Sequence, residues 1–358
     1  MASTNTDAFI MSQAPVGGVI NEDVMDKLYQ IDPVERPFID AIETMSASNQ
    51  YKEFTQRPLR ARKIDNAAVD GQDIAPKQGS VGIRLGAYHQ ILFDNVSVSE
   101  RAQNVDPIAR ADELLFQVAQ IQKEIRRDEE AIKLYPQASQ PGDGDPTNAA
   151  TTGPGRLPGA PTWLITHRDG AVDGSPPEMS DASGGGYPDT APVAGTMRAL
   201  ADATVKDMLE DIFTAGGNPT MVLSSPKMIR KYSAFHFSTS AQIATLQSDQ
   251  GKAGADGLTA YGSVNVLVTD FGITLELVPD RQYMNYDSLA GADGAACDLL
   301  ILDTNYWSNS VLQGYETKPL SKTGLADNRM ITTDVSLLCL QEKASGCVAD
   351  LDATEAVV

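Results

Sequence analysis

The period of the apolar residues changes from one stretch of this chain to the next, and each change marks an element. Between residues 108 and 134, Leu114, Val118, Ile121, Ile125, Asp128 and Ile132 recur at steps of three and four, which predicts one long helix, Ile108 to Leu134. Asp106 stands where an N-cap belongs and Pro107 suits the first turn, because neither asks for an intrahelical donor there. The stripe is narrow. Glu113, Lys123, Glu124, Arg126, Arg127, Glu129, Glu130 and Lys133 fall on the other faces, so the helix is expected to lie on a thin layer, half wet. At about 1.5 Å per residue it spans ~40 Å.

Upstream, residues 1–20 read as an arm and 21–45 as a short helical segment, with Val24, Leu28 and Ile31 before Pro33, then Phe38, Ile39 and Ile42. Two β-like runs follow, Tyr51 to Leu59 and Val81 to Val98. They predict a long hairpin whose second run buries Ile91, Phe93, Val96 and Val98, and whose tip has too few large apolar residues for a core of its own. Residues 136–195 carry 11 Gly and 10 Pro, which excludes a continuous helix or a central sheet; Thr162 to Thr166 is the one strand expected there. A helix capped by Thr196 then places Met197, Leu200, Val205, Met208, Leu209 and Ile212 inward and stops at Gly216-Gly217. From there the pattern is α/β in short pieces: strand 220–223, helix Pro226 to Phe235, strands 264–269, 274–278 and 299–303. A β-rich stretch from Trp307 to Gln341 and an acidic tail, Asp350 to Val358, complete the chain.

Composition narrows the function. A formal charge of −20 over 358 residues, with no basic stripe, argues against binding a phosphate backbone as the main task. No basic start precedes the first apolar patch and no run of about 18 apolar residues occurs, so neither a signal peptide nor a membrane span is expected. Cys297, Cys339 and Cys347 lack close pairing and read as buried thiols of a reducing compartment.

Chemical motifs are weak. His89, His167 and His236 stand apart without metal-ligand spacing. Asp143-Gly144-Asp145 lacks the glycine a calcium loop needs and reads as a turn. Gly184-Gly185-Gly186 has no following Lys-Ser/Thr and reads as a flexible linker rather than a phosphate loop. Ser224-Ser225-Pro226 has the composition of a helix start, not of a nucleophile turn. One cluster stands out: Lys52, Arg57, Arg60, Arg62 and Lys63 against Glu53 alone, on the predicted hairpin of an acidic chain. Its natural complement is acid on another copy of the chain. The charges Arg126 to Glu130 read as intrahelical pairs.

The stretch Glu113 to Ala131 looks like the spine helix of the SU-ten-like major head proteins. So do Gly216 to Thr220 before a strand, Ser224 to Phe235, Val268 to Gly272, Val278 to Arg281 and Lys318 to Gly324 before a long β run. Over roughly residues 20–352 the order of parts resembles tailed-phage major capsid proteins with the HK97-like fold. That resemblance implies an α+β subunit divided into an N-terminal arm with a short helix (1–48), an E-loop hairpin with return strands (49–105), a P-domain with the spine helix and the Gly/Pro-rich loops (106–195), an A-domain (196–310), and return strands with the tail (311–358). It implies a structural protein of an icosahedral shell around double-stranded DNA. Subunits would form hexamers and pentamers, assembled in a host cytoplasm, with portal, scaffold and decoration proteins as partners, DNA only in non-specific proximity, no membrane and no cofactor. Lys63 or Lys77 could be imagined in the covalent subunit cross-link some members make, though no matching partner motif is seen. The alternatives are an encapsulin-like compartment shell and a soluble hydrolase.

Overall fold

The computed structural model describes residues 25–31, 34–57, 59–60, 62–73, 79, 81–105, 110, 112–142, 153–235, 266–269, 271–283, 296–322 and 324–352. The arm 1–20, Asp106, Pro107, Lys77, Asp143-Gly144-Asp145, His236 and the last six residues of the acidic tail lie outside them.

The spine helix α3 runs Glu113–Leu134, shorter at its start than the period suggested. Asp112 caps it, its carboxylate accepting from the Leu115 amide at 3.0 Å, while Gln103 of the short helix α2 (Glu100–Asn104) donates to the same oxygen at 2.7 Å. Pro136, with no N–H to offer, follows its last turn. Ile121 and Ile125 are buried and Lys123, Glu124 and Arg127 exposed, as the stripe requires. Asp128, expected on that stripe, is exposed, and the buried row runs on from Ile125 into Glu129 and Lys133 instead. The reason is a second layer. The foot of the helix is enclosed on another side by α1 (Pro37–Ala41), the helical part among the described residues of segment 21–45; residues 25–31 form no helix and are exposed.

The helix lies on a four-stranded sheet drawn from both halves of the chain, in the order β1 (Glu43–Ser46), β12 (Trp307–Pro319), β13 (Ala326–Cys339), β4 (Gln90–Ser99). β1 runs parallel to β12; the other pairs are antiparallel. On β4 the buried side chains are Leu92 and Val98, not Ile91 and Phe93, which point to the face away from the helix and are exposed. Parity decides this: 91 and 93 cannot share a face with 96 and 98 in a regular strand. The run 81–98 also breaks at His89, because β3 (Ile83–Tyr88) leaves the sheet to pair with β2 (Tyr51–Gln56) as an antiparallel hairpin.

In the Gly/Pro-rich region the expected strand 162–166 is instead part of a helical turn, α4 (Ala160–Trp163), opened by Pro161. Trp163 is buried and donates Nε1–H to the Leu337 carbonyl at 3.1 Å. A side chain at Gly159 would place Cβ 1.7 Å from the Tyr135 carbonyl oxygen, so only glycine lets the turn dock against the end of α3. Three short strands follow, β5 (Arg168–Asp169), β6 (Glu178–Met179) and β7 (Pro188–Thr190).

The second unit is built on a six-stranded sheet, β5-β14-β11-β8-β10-β9, with β8 Met221–Ser224, β9 Val266–Val268, β10 Thr274–Pro279, β11 Ala296–Leu302 and β14 Gly346–Asp352. Helices α5 (Asp202–Ala215) and α6 (Pro226–Phe235) pack on it. α5 buries Val205, Met208, Leu209 and Ile212 and stops at Gly216, whose φ of +98° suits glycine. Its N-cap is Ala201, not Thr196, and Met197 is exposed. The first residues of the acidic tail are the end of the buried strand β14: the Asp350 carboxylate accepts from the amides of Ala171 at 2.8 Å and Gly195 at 3.1 Å. Cys339 and Cys347 are free, buried thiols, both pushed up by burial.

Candidate assembly surface

The hairpin is rigid at its root and bare beyond it. Tyr51 and Tyr88, paired across β2 and β3, pack ring to ring at 4.6 Å, and Tyr187 meets both edge-on. Burial, then the nearby Glu53, push the Tyr51 hydroxyl up to about 12, so it stays neutral. The Gly184-Gly185-Gly186 stretch is no loose linker. With φ near +84° at Gly184 and +85° at Gly186 it turns the chain between β6 and β7, and Gly186 exchanges backbone hydrogen bonds with β3: Gly86 N–H to its carbonyl at 2.8 Å, its own N–H to the Arg84 carbonyl at 2.9 Å. Past Gln56 the described residues as far as Asp73 are exposed. Leu59 and Ile64 are almost wholly exposed and Val69 largely so, an arrangement that marks a contact surface rather than a subunit core.

The basic cluster divides along the same line. Arg57, Arg60, Arg62 and Lys63 lie on the exposed stretch. Lys52 does not join them: it sits in β2 and its ammonium donates to the Ser46 carbonyl. Arg84, which the sequence alone did not single out, is carried by β3 and pairs with Glu53 at 3.5 Å, engaging the one acid set against the cluster. The register of the hairpin was the signal that would have found it.

The charges at the foot of α3 are not a solvated set. Glu129, Glu130 and Lys133 are all buried. Lys133 bridges Glu129 and the Asn309 amide oxygen, the latter at 2.7 Å; Tyr315 donates to Glu129, and Arg36 approaches it at 3.8 Å. Burial pushes the Glu129 carboxyl up, but the Lys133 ammonium, the Tyr315 hydroxyl and Arg36 together more than offset this and hold it below its usual range. Glu130 points the other way, accepting from the amides of Phe38 at 2.7 Å and Ile39 at 3.1 Å. The foot thus fastens the N-terminal segment, the spine and β12 to one another.

His89, Ser224 and Ser225 serve structure. His89 is a buried, satisfied histidine, Nδ1 at 3.0 Å from the Gln50 carbonyl and Nε2 at 3.0 Å from Ser310 Oγ; burial lowers its pKa. Ser224 donates to the Asp298 carbonyl at 2.6 Å, and Ser225 Oγ receives the Met228 amide at the start of α6. Among the described residues no group of three or more His, Cys, Asp or Glu could hold a metal, and no helix is long and apolar enough to cross a membrane.

A long half-exposed helix laid on a sheet from both chain halves, a stretched hairpin and a separate α/β unit define an α+β subunit of the HK97-like capsid fold. Solved structures share it at about 10% identity. The structure of Mycobacterium phage Bobi superposes with a TM-score of 0.54, at 10% identity over 97% of this chain and 99% of that one. The capsid of a native GTA particle gives 0.54 at 10% identity over 94% and 98%. The holo-SrpI encapsulin complex from Synechococcus elongatus PCC 7942 gives 0.51 at 10% identity over 100% and 99%. Phage heads and an encapsulin share this fold, so sequence must decide between them. The profile of the SU10 major capsid protein family matches residues 2–352, and the chain belongs to that family. The major capsid protein of Escherichia phage Phieco32 is 23% identical over 337 residues, 88% of this chain and 90% of the relative. The chain is therefore a bacteriophage major capsid protein, a structural component that associates with copies of itself in the virion shell.

Proposed function

We propose that copies of this chain form hexamers and pentamers that close into an icosahedral head around double-stranded DNA, assembled in the host cytoplasm with portal, scaffold and decoration proteins as partners. Its role is purely structural and needs no cofactor. Residues 49–105 act as the reaching element, the spine and its sheet as the platform, and 196–310 as the axial unit. The single observation that carries this reading is the hairpin: fastened at its root by Tyr51, Tyr88, Tyr187 and Gly186, it sends Leu59, Ile64, Arg60 and Arg62 into solvent. Apolar and cationic groups held out together in this way fit a neighbouring copy, whose net charge of −20 supplies the complement. The same acidity keeps packaged DNA from adhering to the wall.

The test is assembly of the purified chain followed by light scattering and electron microscopy. Wild-type protein is expected to give closed shells, and Arg60→Glu with Arg62→Glu to slow or abolish them while circular dichroism stays unchanged. The basic stretch would lose its assigned role if the double variant assembled at the wild-type rate across low and high salt.

A further inference from the structure

At the foot of the spine helix an amine, an amide and a carboxylate are closed away from water in mutual contact. Lys133, Glu129 and Asn309 are 0%, 1% and 6% exposed. The Lys133 Nζ lies 2.7 Å from Oδ1 of Asn309. That oxygen is one carbonyl bond, about 1.2 Å, from Cγ, so the amine nitrogen stands within about 4 Å of the amide carbon. A single carboxylate oxygen, Oε1 of Glu129, accepts from both Nζ of Lys133 and, at 3.4 Å, Nδ2 of Asn309. The network fixes which way the asparagine points: turned over, its NH2 would face the ammonium, donor against donor. Nucleophile, leaving group and proton carrier are therefore in place together.

We propose that Lys133 and Asn309 condense within the folded subunit into an isopeptide bond, Nζ to Cγ, with Glu129 moving the protons. Both ends belong to one chain and are buried, so this is a bond inside the subunit, unlike a cross-link between copies carried on the hairpin. It joins the last turn of α3 to β12 across 176 residues of chain. The second oxygen of Glu129 accepts from the Tyr315 hydroxyl and faces Arg36 at 3.8 Å, which holds the carboxylate in position with Oε1 towards the reacting pair.

The reaction balances without any further reagent. Glu129 takes a proton from the Lys133 ammonium, and the freed lone pair forms the bond to Cγ while the carbonyl pair moves onto Oδ1. Glu129 returns that proton to Nδ2 and takes a second from the attacking nitrogen. The pair on Oδ1 then re-forms the carbonyl and the Cγ–Nδ2 bond breaks. Ammonia departs with the second proton as ammonium, and the carboxylate is restored. Burial, opposed by Glu129, draws the Lys133 ammonium below its ordinary value, which eases the first transfer. An open pocket of about 440 Å³, lined in part by Arg36, Glu129, Asn309, Gly314 and Tyr315, gives the ammonium a way out.

Mass spectrometry of the purified full-length chain, folded and then denatured, reads the bond. The wild-type chain should be lighter than its sequence by one ammonia. Trypsin should fail to cut after Lys133 and should release a branched peptide carrying both Lys133 and Asn309. Glu129→Gln keeps both reacting groups and should slow formation by about a hundredfold or more, followed over time after synthesis. Lys133→Arg should show the full sequence mass. The proposal is overturned if the wild-type chain has its full mass, or if ammonia is lost without a branched peptide, as a cyclised asparagine would give. The wild-type peptide map decides the bond however well the variants fold. Because it is scored on single denatured chains and shell formation by microscopy, either reading can fail without the other.

Discussion

The hairpin beyond Gln56 and the foot of the spine helix invert the usual placement of residues. The hairpin exposes Leu59 and Ile64 beside Arg60 and Arg62; the foot buries Glu129, Glu130 and Lys133 among Asn309, Tyr315 and the amides of α1. Both look wrong for a self-sufficient globule, and for opposite reasons. The foot is complete within one chain, because its buried charges have partners, whereas the hairpin's apolar groups find none among the described residues of their own chain. Buried charge here marks the joint inside a subunit, and exposed apolar surface marks the joint between subunits.

Five variants would break or sharpen that contrast. The largest effect is expected for Lys133→Ala, which takes the nearest cation from the buried Glu129 and should cost about 3 to 5 kcal/mol in urea unfolding of the subunit. Ile121→Ala, further along the same helix, opens a cavity against the sheet and should cost about 2 to 4 kcal/mol. Tyr187→Ala removes an aromatic contact that steadies the hairpin root. It should cost about 0.5 to 1.5 kcal/mol for each ring pair lost and raise hydrogen exchange in β2 and β3 before it affects the spine. The smallest effect belongs to exposed charge: Lys123→Ala, or Arg60→Glu with Arg62→Glu, should change subunit unfolding by less than about 0.5 kcal/mol. If the double reversal unfolded the subunit as readily as Lys133→Ala does, the hairpin would belong to the subunit interior and the contrast would collapse.

What the sequence made legible was whatever a single period or breaker decides. α6 appears over Pro226–Phe235 as read, Gly216 stops α5, and Ile121 and Ile125 face the sheet. Long-range facts were hidden. Nothing local says that α1 arrives over the foot of α3, so Glu129, Glu130 and Lys133 read as wet charges. The continuation of the row Ile121, Ile125, Glu129, Lys133 at steps of four was the only trace. Ile91 and Phe93 misled for the converse reason: their hydrophobicity spoke for burial, while strand parity and an uncovered sheet face put them outside. The Gly/Pro-rich region hid a helical turn at Ala160–Trp163 because its determinants, the Leu337 carbonyl and the close approach of Tyr135, lie elsewhere in the chain. Of the five basic residues singled out on the hairpin, four fall on the exposed stretch and Lys52 is drawn to the root by the Ser46 carbonyl.

The platform sheet takes β1 and β4 from the first hundred residues and β12 and β13 from the last sixty. More than 200 residues separate the end of β4 at Ser99 from the start of β13 at Ala326. At about 5–20 residues per second, a ribosome needs roughly 10 to 45 s to bridge that gap. For that interval Leu92, Val98 and the apolar row of the spine have no finished sheet to rest on. A nascent subunit therefore acquires a surface on which a neighbour can rest only after β13 has been made, a delay that keeps shorter nascent chains out of a growing shell.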